Sequence, residues 1–71
     1  MRKLASILCD GGEHRADFRR NIYLYGGRLI CDGHDITPMS GKYPRGHTGH
    51  DQAQKDIYAM YHGGPWDLEI V

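Results

Sequence analysis

Phe18-Arg19-Arg20-Asn21-Ile22-Tyr23-Leu24-Tyr25-Gly26-Gly27-Arg28-Leu29-Ile30-Cys31-Asp32 reads as a β-hairpin closed by Gly26-Gly27. A two-residue primed turn holds both central residues at positive φ, where only glycine escapes a Cβ clash, so a Gly-Gly pair between β-branched and aromatic runs marks it. The turn sets the register: Tyr25 opposes Arg28, Leu24 opposes Leu29, Tyr23 opposes Ile30 and Ile22 opposes Cys31. Side chains alternate along a strand, so Ile22, Leu24, Leu29 and Cys31 share one face and Tyr23, Tyr25, Arg28 and Ile30 the other. The aliphatic face is expected to be core. The tyrosine face is expected to be partly open.

Working outward, residues 3–9 place Ala5, Ile7 and Cys9 on one parity and Leu4 and Leu8 on the other, which suits a central strand covered on both sides. A polar connection with Gly11-Gly12 joins it to the hairpin. After the hairpin, the stretch from Gly33 to His47 has three glycines and two prolines and no apolar period, and is expected to be a long loop. Thr48 followed by Asp51 resembles a helix start, with Thr48 as cap, and predicts a helix from about Gly49 to His62. Its apolar face is Ala53, Ile57, Met60 and Tyr61. Gly63-Gly64 and Pro65 end it. Trp66, Leu68 and Ile70 then alternate with Asp67 and Glu69 as a final edge strand whose outward carboxylates discourage pairing with another chain. The expected fold is a single α+β domain over residues 1–71. It is a small two-layer sandwich with a mainly antiparallel sheet of about four strands, in the order β-β-β-α-β, and one helix on one face.

The chain is near the lower size limit for an unaided core, with Leu, Ile, Val and Phe making up 13 of 71 residues. Five tyrosines and Trp66 add apolar area, so a folded domain is expected, stabilised in part by a partner, a dimer or a metal. Nine Lys/Arg against nine Asp/Glu leave no net charge and no general field for nucleic acid or an anionic membrane. No stretch approaches the ~20 apolar residues of a transmembrane helix. The basic and apolar beginning imitates a signal peptide, but the apolar run is short and Asp10 to Glu13 follows at once. Two cysteines are too few for a disulfide framework, so free thiols in a cytoplasm are expected.

Among possible chemistries, Cys31 and His34, then His47 and His50, have the paired spacing of small zinc modules. The set is unusual, because it has one thiolate with three imidazoles, and Cys31 points into the expected core. Cys31 with His34, or Cys9 with His14, pairs a thiol with a base, yet both cysteines lie in apolar strand patterns where free Cys packs. No cofactor and no catalytic group is expected. Arg19, Arg20 and Arg28, together with Arg15, are expected near Tyr23 and Tyr25. That composition suits a protein-binding hot spot or a small nucleic-acid patch.

The function expected from these residues is a small, non-enzymatic protein–protein interaction module with Tyr23, Tyr25, Arg28, Ile30, Arg19 and Arg20 as its contact. Such a chain would act as an accessory regulator or inhibitor of a larger protein or complex, of the kind phages and mobile elements encode against host defence. The alternative is a nucleic-acid-binding module, with or without zinc as a stabiliser. A homodimer is compatible with either.

Overall fold

The computed structural model describes residues 2–9, 17–63 and 67–71. The elements are β1 (Arg2–Cys9), β2 (Phe18–Tyr25), β3 (Arg28–Cys31), β4 (His34–Asp35), α1 (Gly46–Tyr61) and β5 (Asp67–Ile70). The strands form one antiparallel sheet in the order β4-β3-β2-β1-β5, so the fold is α+β with a five-stranded sheet and one helix. No described helix is long and apolar enough to cross a membrane. The connection at 10–16, including His14 and Arg15, lies outside the described residues, as do Gly64, Pro65 and Trp66.

The hairpin register is the expected one at all four pairs, from Tyr25 with Arg28 to Ile22 with Cys31. Gly26 and Gly27 both have positive φ, 59° and 79°. The fifth strand is a departure from the expected count of about four. Asp32 and Gly33, with φ of 51° and 78°, make a second two-residue turn of the same kind, which folds His34 and Asp35 back beside Cys31 and Ile30.

The segment after β4 is accordingly shorter than the expected loop, and it is tied down. Ile36 N donates to Leu29 O, Leu29 N donates to Thr37 Oγ1, and Tyr43 N donates to Gly27 O. Tyr43 is buried, and its hydroxyl donates to Asp56 of the helix. The helix begins three residues before the expected start. Arg45 is its N-cap and makes no side-chain capping bond, so Thr48 lies inside the first turn instead of capping it. Gly49 decides this placement, because the helix there presses against the Pro44 carbonyl. Gly63, at φ 76°, follows the last turn as expected.

Opposed residues in an antiparallel pair share a face, which puts Ala5, Ile7, Ile22, Leu29, Cys31 and Leu68 on the helix side. There they meet Ala53 and Ile57 of α1 in one core, joined by Leu4, Cys9 and Tyr43. Leu4, Ile22, Leu29 and Ile57 are fully buried, each contributing about 1.5–3 kcal/mol of hydrophobic stabilisation. Leu24 is only half-buried at the core margin. A shift in pairing between Lys3 and Ala5 interrupts the alternation of β1 and lets Leu4 and Ala5 both be buried. The expected cover on the second face of β1 is real, but it is not a second layer. Ser6 is buried there beneath Arg19, whose Nη1 donates to Ser6 Oγ at 2.9 Å.

Candidate functional site

The helix covers one face of the sheet, and the candidate site is the other. Strand alternation brings Tyr23 and Tyr25 of β2, Arg28 and Ile30 of β3, and Lys3 of β1 to the hairpin end of this face. Tyr23 and Ile30 are cross-strand partners and both half-buried, while Tyr25 is 59% exposed. Asn21 lies next along β2, its Nδ2 3.5 Å from the Tyr23 hydroxyl.

The arginines on this face already have partners. Arg28 Nε donates to Asp35 Oδ2 at 2.9 Å, and Nη1 donates to Met39 O at 3.2 Å and to Gly41 O. Asp35 also accepts from Thr37 N and Thr37 Oγ1. The Arg28 guanidinium first, and then Thr37, hold the Asp35 carboxyl down at about 2. Arg28 is therefore a clamp that pins the 36–45 segment to β3, and it forms the rim of the tyrosine patch. At the other end of the face, Arg19 lies 3.7 Å from Asp67 and 3.5 Å from Glu69.

Arg20 does not join the patch. It is adjacent to Arg19 in sequence, so the period of two sends it to the helix side, where Nε lies 3.2 Å from Asp32 Oδ2 and the guanidinium stacks over Phe18 at 4.9 Å. The Nε–Asp32 approach satisfies the ion-pair distance without the angle of a hydrogen bond, and Nε is buried without another acceptor.

The zinc set is not brought together either. Cys31 faces the core, His34 is exposed on the edge strand β4, His47 is exposed at the helix start, and His50 points to Asp51 at 3.6 Å. Among the described residues no three His, Cys, Asp or Glu side chains converge on a point that could hold a metal ion. Cys9 and Cys31 are free and buried. Burial, and after it the Asp32 carboxylate, push the Cys31 thiol up, which reduces its thiolate fraction and its nucleophilicity.

The 33–47 stretch, long and without an apolar period and so a second place to look for a site, borders a cleft. A cleft of about 430 Å³ lies between the Gly26-Gly27 turn and the helix start, bordered by Leu24, Lys42, Tyr43 and Arg45. Its signal was Tyr43, an isolated aromatic residue in a stretch with no period, which turns out to be buried at 4% exposure and to hold the segment against the helix. No family model, curated protein or solved structure matches this chain.

Proposed function

We propose that this chain is a small, non-enzymatic protein–protein interaction module, and that it works by covering a surface of a larger protein with the hairpin end of its open face. The observation carrying this reading is the contrast within that face. Tyr25 stands exposed beside Tyr23 and Ile30, while Arg19 and Arg28 are already neutralised by Asp67, Glu69 and Asp35. Nucleic-acid affinity comes mainly from unneutralised cations that displace counterions from phosphates, and the guanidiniums here are committed. An exposed Tyr25 beside the half-buried Tyr23, with paired arginines at the rim, suits the anchor-and-rim pattern of protein interfaces.

Occupancy of a partner's surface makes the chain an accessory regulator or inhibitor, in keeping with a phage or mobile-element origin. Two buried free thiols fit a reducing cytoplasm. The test uses the chain as bait in its native cells and compares Tyr25→Ala and Tyr23→Ala with the parent for the partner recovered. Each truncation is expected to cost about 1–3 kcal/mol of binding with the melting temperature unchanged. Undiminished binding by both variants contradicts the reading. Steeply salt-dependent binding to oligonucleotides, without a protein partner, supports the alternative.

A further inference from the structure

We propose that the free edge of β5 accepts, as an added strand, an extended segment of another protein in which basic and aliphatic residues alternate. Among the described residues β5 is the last strand of the sheet on its side. Val71 N donates to Leu4 O at 2.9 Å. By the alternation of an antiparallel ladder, the N–H and C=O groups of Asp67 and Glu69 then face β1, and those of Leu68 and Ile70 face outward. Strand addition satisfies such outward groups and draws specificity from the alternating side chains.

The side chains define the partner's chemistry. Asp67 and Glu69 project on the open face, about two-thirds exposed, and share the single guanidinium of Arg19 at 3.7 and 3.5 Å. Two carboxylates against one cation leave a negative charge at the edge for an incoming Lys or Arg. On the helix side Ile70 is 43% exposed, an apolar border for the partner's aliphatic residues. Gln54 ties the helix to Val71 O at 2.9 Å, and Tyr58, one turn further along the same flank and half-exposed, extends that border. A second copy is the wrong occupant, because two β5 strands side by side would set four carboxylates against two arginines.

The experiment titrates the isotope-labelled full chain with a capped peptide alternating lysine and valine, and with its glutamate–valine counterpart. The lysine peptide is expected to bind saturably and to slow exchange at the Leu68 and Ile70 amides, with the glutamate peptide at least about tenfold weaker. Ile70→Pro, which removes an outward N–H that nothing in the sheet uses, should abolish binding and leave the melting temperature unchanged. Asp67→Lys with Glu69→Lys should reverse the preference, and this pair decides the matter if the proline variant does not fold. Equal binding of both peptides, unprotected Leu68 and Ile70 amides, or no binding at all overturns the proposal. Self-association abolished by Ile70→Pro also overturns it, since the occupant would then be a second copy.

Discussion

Gly49 has no room for a side chain: a Cβ built there would stand 1.7 Å from the Pro44 carbonyl oxygen. Gly49→Ala is therefore expected to cost about 3 kcal/mol or more, against the small gain alanine brings at an open helical position, as read by thermal melts. At the hairpin turn, Gly27 combines φ 79° with a Cβ position only 2.9 Å from Lys42 Cβ, whereas Gly26 at φ 59° opens to solvent. Gly27→Val should lose about 1–3 kcal/mol, and Gly26→Asn should be tolerated, because asparagine enters the left-handed region readily. Equal stability of the two variants would refute the turn. Asp35 supplies a pH signature. Its folded-state value of about 2 lies below the ordinary 3.8, so the Arg28–Asp35–Thr37 clamp contributes stability above about pH 4 and loses it as pH falls toward 2. Asp35→Asn should flatten that part of the stability profile. An unchanged acid slope would show that the clamp does not hold the segment.

The β2–β3 hairpin was legible because every local cue agreed: turn residues, β-branched runs and a face pattern that only one register satisfies. Leu29 is at its centre and fully buried, so Leu29→Ala should cost about 2–5 kcal/mol in denaturant unfolding, enough to threaten a domain this small. Leu24, half-buried at the margin, should cost less, and the reverse order would mean that the core lies elsewhere. Strand β4 escaped the sequence reading because two residues carry no period. Its signal was the turn, since Asp32-Gly33 is a favoured pair for the same primed geometry as Gly26-Gly27. The helix start escaped for a different reason. Thr48 and Asp51 have the local chemistry of a cap, but packing of Gly49 on Pro44 and of Tyr43 on Asp56 sets the boundary three residues earlier, and a close tertiary contact outweighs a capping preference.

Over the whole molecule, one helix cannot cover both faces of a five-stranded sheet, and two paired arginines border the face left open. Arg19 closes the β5 end over Ser6, and Arg28 closes the loop side through Asp35, leaving Tyr23, Tyr25 and Ile30 between them. The membership of that patch was legible from the period of two. The assignment of Arg20 to it was not, because grouping arginines by proximity in sequence ignores that neighbours on a strand face opposite ways. The pairing of the remaining arginines with Asp67, Glu69 and Asp35 needed the fold, since the carboxylates come from β4 and β5. Whether this face binds a protein is read by placing a photo-crosslinking residue at Tyr25, or at Gln52 on the exposed side of the helix, and irradiating cells that express each variant. One discrete crosslinked partner is expected from position 25, absent from position 52 and lost when Ile30→Glu is added without a change in melting temperature. The same partner captured equally from both positions, or from position 25 despite Ile30→Glu, would contradict binding through this face.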